Sequence, residues 1–550
     1  MIAGAAAISA LGSCKEASPE HMNIVYIMCD DHSYQTISAY DDRYMNTPGI
    51  DRLSEEGYRF TNSFVANSLS GPSRACLLTG MHSHANGYTD NGSGSFDGSQ
   101  TTFPKILQQH GYQTAIVGKW HLGSEPTGFD YWDILMGQGE YYQPVFICNR
   151  DTLLRPGYVT EVITDRAIEW MEKDRDKSKP FCLLVHHKAP HRSWMPDTQD
   201  LGSYDNVEFP LPETFYDDYS GRPAAELQEM SIIDDMNEVY DLKMSDAEGE
   251  IHDRLGYYKW AGSMYRGGTG KGEHLRSGRM NHEQQKAWTD YYDPIIKDYK
   301  ESGLSGRELA EWKFQRYMKD YCSTINSVDR NVARLYDYLK REGLLENTMI
   351  IYTSDQGFFM GEHGFFDKRF MYEESFRTPL IVRMPDGMKR EMPAESDMEV
   401  HGPDFGKKKN DISEFVQNID LGPTILDFAG IDVPEEMHGE SFLPLIEGQQ
   451  ASSVKTSEGT GWRQSLYYHF YEYPAEHSVR RHYGVRTERY SLMHFYHDID
   501  EWEMYDLEND PQQMKNIYGT PESDKVLPQL MEELKRLQYL YDDPIRHKIQ

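Results

Sequence analysis

Asn23-Ile24-Val25-Tyr26-Ile27-Met28-Cys29, running directly into Asp30-Asp31, is the stretch that decides the fold. An apolar, β-prone run stops abruptly at two carboxylates. The pattern recurs. Thr114-Ala115-Ile116-Val117-Gly118 runs into Lys119-Trp120-His121, and Phe181-Cys182-Leu183-Leu184-Val185 runs into His186-His187-Lys188-Ala189-Pro190-His191. Met349-Ile350-Ile351-Tyr352-Thr353-Ser354 runs into Asp355-Gln356-Gly357. Short continuous apolar runs suit strands buried on both faces of a mostly parallel sheet. Helical patterns at 103–110 and 323–342 lie between them, as βαβ crossovers require. In open α/β sheets the ligand site lies beyond the carboxyl ends of the strands. The Asp, Lys, His and Asp at these four ends are therefore expected to converge on one site.

Working outward, Ser70-Gly71-Pro72-Ser73-Arg74-Ala75-Cys76-Leu77-Leu78-Thr79-Gly80 reads as a helix start. Gly71 and Pro72 break the preceding segment, proline is pre-set for a first helical turn, and Ala75 to Leu78 continue it. A nucleophile at such a position sits where backbone N–H groups and the helix dipole favour an anion. Asp30-Asp31 and Asp355-Gln356 form two pairs of hard oxygen donors, a chemistry that selects calcium or magnesium over zinc.

The 550-residue chain carries a formal net charge of −33. Such a balance argues against nucleic acid as a partner, because phosphate binding needs a basic face. It leaves room for one large domain and a smaller one. Residues 200–320 are polar, acidic and Tyr-rich, with 262–272 reading as loop, and are taken as an insertion in a main domain spanning 22–430. From about 431 to 550 the pattern changes to consecutive short strands at 465–471, 482–485, 490–496 and 501–505, then a helix at 526–540. This reads as a small α+β domain. The six cysteines show no framework spacing and no CxxC, so neither disulfides nor zinc are expected, and Cys29 and Cys182 are core residues.

Residues 1–21 end a short apolar segment in Leu11-Gly12-Ser13-Cys14 and resemble a bacterial lipoprotein signal and tether, without a basic start. The resemblance implies lipidation at Cys14, a periplasmic or outer-membrane location and membrane contact only through that anchor.

The segment 70–80 resembles the maturation signature of type I sulfatases, in which Cys or Ser, then x-Pro-Ser-Arg, is followed four residues later by Leu-Thr-Gly. The resemblance extends over most of 22–540, including Thr47-Pro48-Gly49-Ile50-Asp51-Arg52-Leu53, Gly118-Lys119-Trp120-His121-Leu122-Gly123 and Asp420-Leu421-Gly422-Pro423-Thr424-Ile425-Leu426-Asp427. It implies an alkaline-phosphatase-like sheet flanked by helices, with a smaller C-terminal subdomain. It also implies that Ser70 is oxidised to formylglycine, whose hydrate is the nucleophile. One calcium ion is then held by Asp30, Asp31, residue 70, Asp355 and Gln356, where Gln356 departs from the commoner asparagine but keeps an amide oxygen. Arg74, Lys119 and Lys368 stabilise the sulfate oxygens; His191, with Lys368, protonates the leaving oxygen; His121 removes the second hydroxyl proton. A serine precursor implies an anaerobic-type maturation enzyme as a transient partner.

Asp367-Lys368-Arg369 followed by Tyr372-Glu373 resembles the N-acetylglucosamine-6-sulfatases, which implies a 6-O-sulfated N-acetylglucosamine of heparan-type glycosaminoglycan as substrate. Asp367, Arg369, His477 and Arg480 are the expected sugar contacts, with Glu472 and His482 in the same loop cluster. The alternatives are another sulfated sugar, such as 6-O-sulfated N-acetylgalactosamine or a mucin glycan, a phosphatase or phosphodiesterase of the same superfamily, and a non-catalytic sulfoglycan-binding protein.

Overall fold

The computed structural model describes residues 22–92, 94–244, 279–388 and 401–547. The segment with Cys14 and the loop at 262–272 lie outside these residues. A ten-stranded sheet organises the rest. In chain order its strands are β1 (Asn23–Cys29), β2 (Tyr58–Phe60), β3 (Gln113–Gly118), β4 (Tyr131–Leu135), β5 (Val145–Cys148), β6 (Asp151–Leu154), β7 (Phe181–His186), β8 (Thr348–Ser354), β9 (Leu380–Arg383) and β10 (Asp411–Ile412). Their spatial order is β10-β2-β9-β8-β1-β7-β3-β4-β5-β6. The central run β8-β1-β7-β3-β4 is parallel throughout. Antiparallel strands β9 and β5 flank it.

All four apolar runs of the sequence are these central strands. Along β1 the side chains alternate between two cores, Val25, Ile27 and Cys29 on one face and Ile24, Tyr26 and Met28 on the other. Each face is covered by helices. Helices α1 (Pro48–Glu56), α4 (Val159–Glu169) and α6 (Gly306–Arg341) cover the first. Helices α2 (Ser70–Thr79), α3 (Phe103–Gln109) and α7 (Leu421–Phe428) cover the second. Burial on both faces explains why these strands read as unbroken apolar runs rather than alternating ones.

Two boundaries differ from the sequence reading. Helix α6 begins at Gly306 rather than 323, preceded by α5 (His282–Ser302), so the last part of the expected insertion belongs to the covering layer. Its first half buries an apolar stripe of Leu309, Ala310, Phe314, Tyr317, Met318 and Tyr321. Beside that stripe Arg316 and Lys313 are also buried, and the buried Asp320 carboxylate accepts hydrogen bonds from Arg316, from Lys243 Nζ at 2.9 Å and from the Tyr292 hydroxyl at 2.9 Å. The second difference is at 431–464. Ile431, Phe442, Leu445, Ile446, Val454 and Trp462 pack into the core on the α2 side of the main sheet.

The C-terminal antiparallel sheet is β11 (Ser465–Phe470), β12 (His482–Thr487), β13 (Tyr490–Phe495) and β14 (Glu501–Asp506), paired consecutively. Helix α8 (Leu527–Leu540) closes one face with Leu530, Leu534 and Leu537. The other face meets the main body through Tyr372 and Glu503. The fully buried Glu503 carboxylate accepts from the Tyr372 and Tyr505 hydroxyls at 2.8 and 2.7 Å. Burial pushes its pKa up to about 7.

That value lies above the roughly 4.3 of an exposed glutamate. The folded form therefore keeps its proton while the unfolded chain loses it, and stability is lost progressively as pH rises from about 4 to about 7. Glu503→Gln removes this cost, on the order of a few kcal/mol at full ionisation. Thermal unfolding should show Glu503→Gln more stable than the parent at pH 8 and nearly equal to it at pH 4.5. The same difference at both values would mean that Glu503 is ionised throughout.

Candidate active site

The parallel register brings the carboxyl ends of β8, β1, β7 and β3 into one row. Cys29 lies beside Ser354, and His186 lies beside both Met28 and Gly118. Asp30-Asp31, Asp355-Gln356, Lys119 and the turn to His191 therefore leave the sheet side by side. Gly118 makes this approach feasible. Its φ is +104°, and a Cβ there would lie 2.0 Å from the His186 carbonyl oxygen. Only glycine lets β3 close on β7 and release Lys119 into the site.

Helix α2 aims its first residue, Ser70, at the same point. Ser70 donates to Asp30 Oδ1 at 3.1 Å, and Gln356 Nε2 lies 3.4 Å from Ser70 Oγ. Gly80, at φ +66°, ends the helix by donating its N–H to the Cys76 carbonyl at 2.9 Å. Arg74, one turn in, donates to Asp355 Oδ2 at 2.9 Å and lies 3.5 Å from Asp30 Oδ1. Lys119 Nζ pairs with Asp30 Oδ2. Lys368 Nζ donates to both oxygens of Asp31, at 2.6 and 2.7 Å. His191 Nε2 is 3.8 Å from Asp31 Oδ2. His121 stands at φ +55° with its Nε2 3.0 Å from the Gln138 amide and its Nδ1 buried without a partner.

Three carboxylates thus meet three cations in a pocket where Asp30, Asp31 and Lys119 are fully buried. Burial opposes ionisation of Asp30, yet Lys119 and Arg74 hold it well below the usual carboxylate range. Burial pushes Asp31 up to about 7, despite Lys368, and Asp355 up to about 6, with Asp30 adding repulsion. Burial, with Lys119 next, holds both His121 and His191 neutral, well below the ordinary imidazole range.

The donor set fits a hard divalent cation. The Gln356 amide oxygen is buried and has no partner, while its nitrogen lies on Asp31. The two amide atoms are interchangeable by rotation, and the turned amide offers an oxygen beside three carboxylates. His186, whose Nδ1 lies 3.3 Å from Arg74 and 3.1 Å from the Lys119 carbonyl, steadies that arginine. His363 lies apart, 2.8 Å from Asp217.

Beside Lys368, Asp367 and Arg369 both adopt positive φ, which turns their side chains to the same pocket wall. Arg369 donates to Asp367 Oδ1 at 2.9 Å, and His477 Nε2 lies 2.9 Å from Asp367 Oδ2. Arg480 is not joined to this group. Its guanidinium donates to Asp498 and to the carbonyls of Leu227 and Ser478, over the ring of Tyr473. His482 is a core histidine, accepting from the Met371 N–H and packed on Phe370, Phe470 and Phe495.

The sequence reading missed the strut behind this wall. Buried Arg192 donates to Asp241 at 2.5 and 2.9 Å and to Glu476 at 2.6 Å, and lies 3.4 Å from His477. Its position directly after His191 was the available signal. Nothing in spacing could have paired it with Asp241, inside the insertion. With Arg192 and Arg369 on it, the Asp367–Glu476–His477 group is an ion-paired wall rather than a metal site.

The raised Asp31 and Asp355 must lose protons before a cation binds between them. Divalent-cation affinity, measured by calorimetry, should rise as pH increases from about 5 to about 8, with proton release on binding. An affinity independent of pH over that range would place the ion elsewhere.

A family model described as Sulfatase matches residues 22–431, and another, described as N-sulphoglucosamine sulphohydrolase, C-terminal, matches residues 361–539. An N-acetylglucosamine-6-O-sulfatase of Bacteroides thetaiotaomicron is 47% identical over 540 residues, covering 97% of this chain and 89% of its own. The N-acetylglucosamine-6-sulfatase of Bos taurus is 26% identical over 84% of this chain and 75% of its own. A solved structure described as a complex with its substrate D-glucosamine-2-N,6-O-disulfate superposes with a TM-score of 0.85 at 46% identity, over 96% of this chain and 100% of that one. A phosphonate monoester hydrolase from Silicibacter pomeroyi, at 17% identity and a TM-score of 0.62 over 94% and 95% of the two chains, shares the fold. The row of strand-end carboxylates, the helix that starts at Ser70 and the extent of these matches lead to one conclusion: the chain belongs to the sulfatase family.

Proposed function

We propose that this enzyme hydrolyses the 6-O-sulfate ester of a glucosamine residue, N-acetylated in the first instance, in saccharides of the heparan type. The observation that carries the reading is the junction at 367–369. Lys368 reaches the carboxylate cluster, while Asp367 and Arg369 face a wall completed by His477. Sulfate-binding charge and sugar-reading hydrogen-bond groups are thus three consecutive residues. The activity named for the Bacteroides relative and the 6-O-sulfated glucosamine named as substrate of the structural neighbour support it.

Formylglycine at residue 70 would supply, as its hydrate, an oxygen nucleophile for sulfur. Asp30, Asp31, residue 70, Asp355 and Gln356 would hold a divalent cation, calcium in this proposal, which would supply Lewis-acid polarisation there. The remaining work falls to this chain's side chains. Arg74, Lys119 and Lys368 offset charge on the sulfate oxygens. His121, held neutral, is in the state a base requires. His191 is also neutral before substrate binds, and an incoming sulfate raises its proton affinity by attraction. That makes it the acid for the departing sugar oxygen, with Lys368 beside it. Ser rather than Cys at position 70 supports an anaerobic-type maturation enzyme as transient partner. The Cys14 segment supports a lipid-anchored, extracytoplasmic location.

Peptide mass spectrometry of protein from the native host should find residue 70 two hydrogens lighter than serine, and Ser70→Ala should be inert. Unmodified serine in fully active protein would end this mechanism. Chelation should abolish turnover, calcium should restore it better than zinc, and Asp355→Ala should lose both ion and activity. Two tightly held zinc ions would favour the phosphatase reading.

Across a panel of sulfated sugars scored for released sulfate, 6-O-sulfated N-acetylglucosamine should rank ahead of 6-O-sulfated N-acetylgalactosamine and of 2-O-sulfated uronates. His477→Ala should cost about 100-fold or more in kcat/KM on the sugar, because a buried polar partner is left unpaired, and much less on an aryl sulfate. Equal losses on both would place His477 outside the sugar subsite. Best cleavage of a 2-O-sulfated uronate would overturn the substrate assignment.

A further inference from the structure

Of the residues proposed to hold the cation, Asp31 alone stands at positive φ, +66°. A residue with a Cβ adopts that conformation rarely and keeps it only where its surroundings over-determine it. Two peptide groups flank its Cα, and each is held by a different part of the molecule. The Asp31 N–H, placed by φ, donates to Asp355 Oδ1 at 3.1 Å. The Asp31 carbonyl, placed by ψ, accepts from the Tyr321 hydroxyl at 2.6 Å. The oxygen of that hydroxyl accepts from the Ser33 N–H at 2.9 Å. Between them, the His32 N–H donates to Ser354 Oγ at 2.8 Å. Every N–H from Asp31 to Ser33 is thus bonded to a side chain from outside the turn, and one phenol ties the turn's carbonyl to its last N–H.

Tyr321 is well placed to impose a geometry. It lies within α6, is fully buried, and its ring stacks on Phe358 with centroids 5.6 Å apart and planes 17° apart. Helix α6 itself packs on α1 and α4, so the hydroxyl is delivered to the turn by an anchored element. Orientation matters here because the Asp31 carboxylate is shared. Both of its oxygens accept from Lys368, and Gln356 Nε2 lies on one of them. Rotation about either backbone bond would swing Cβ relative to β1 and β8 and carry the carboxylate with it.

We infer that Tyr321 is a positioning residue for the divalent cation, its hydroxyl locking Asp31 in the left-handed turn that aims the carboxylate at the ion. The inference rests on reading Asp30, Asp31, residue 70, Asp355 and Gln356 as the ligands. It assigns part of their affinity to a helix residue 290 positions further along the chain. Groups that bond to a metal ligand and orient it commonly account for about 10–100-fold in affinity. Without the hydroxyl, the Asp31 carbonyl and the Ser33 N–H are buried and unpaired, and the turn gains by rotating out of the ligand geometry to pair them.

The test is calorimetric titration of calcium into the mature protein after chelation, beside thermal unfolding of the calcium-loaded forms. Tyr321→Phe keeps the ring and its stacking and removes only the hydroxyl. Its calcium Kd should rise at least about tenfold. The calcium concentration for half-maximal sulfate release should rise by the same factor, with kcat at saturating calcium within threefold of the parent. Tyr317→Phe is the comparison. One turn earlier on α6, it loses an equally buried hydroxyl that donates to the Phe359 carbonyl at 2.8 Å, outside the Asp31 turn. It should unfold at a lower temperature than the parent yet bind calcium within twofold of it. Parent-like calcium affinity in Tyr321→Phe would overturn the positioning role. Equal loss of affinity in both variants would also overturn it, by showing only a general loosening of α6. Failure of the parent itself to bind calcium would overturn the underlying ligand reading instead.

Discussion

Six buried charges at one edge of a parallel sheet are the constraint on which the rest of the molecule depends. Asp30, Asp31 and Asp355 sit against Arg74, Lys119 and Lys368 with almost no solvent contact. Removing one member of such a set leaves an uncompensated buried charge, which typically costs about 3–5 kcal/mol. The six charges come from five separate parts of the chain, so the set can exist only when the central strands are in register and α2 is docked. The layers, crossovers and glycine contacts serve that alignment. The cluster's value lies in function, since an apolar replacement of similar volume is often at least as stable.

The same arrangement explains how a chain of net charge −33 handles an anionic substrate. Its positive charge is concentrated where three cations are already matched to carboxylates. A divalent ion added to a balanced set leaves a local positive excess, and an incoming sulfate then restores balance. Overall acidity is thus compatible with local attraction, because interactions beyond about a Debye length are screened while buried ones are not.

The proposed sugar wall is built on a separate network. Arg192 ties Asp241, Glu476 and His477 together, and so links the turn that carries His191 to the insertion and to the C-terminal sheet's loop. The residues proposed to read the sugar and the turn carrying the residue proposed to protonate it are tied together by one buried guanidinium. The small C-terminal sheet therefore acts less as an appendage than as one wall of the site.

Much of this was legible before folding. The four apolar runs gave the buried parallel strands because burial on both faces leaves no polar positions to mask them. The abrupt change to Asp, Lys and His at each end marked the carboxyl edge, and 70–80 marked the helix that meets it. That these segments meet at one edge was thus recoverable from local patterns. Only tertiary structure decided the rest. That 306–322 belongs to the covering layer was settled by packing, which buries Phe314, Tyr317 and Tyr321 together with the ion-paired Arg316 and Asp320. The attachment of 431–464 to the main body depended on contacts far away in sequence. Arg480 and His482 looked like sugar contacts in a charged loop, yet one is held by Asp498 and backbone carbonyls and the other is packed among phenylalanines. Arg192 could be noticed only as the neighbour of His191, and nothing in either segment paired it with Asp241. Sequence patterns report what each segment must bury; which buried charges become partners is settled only when distant segments meet.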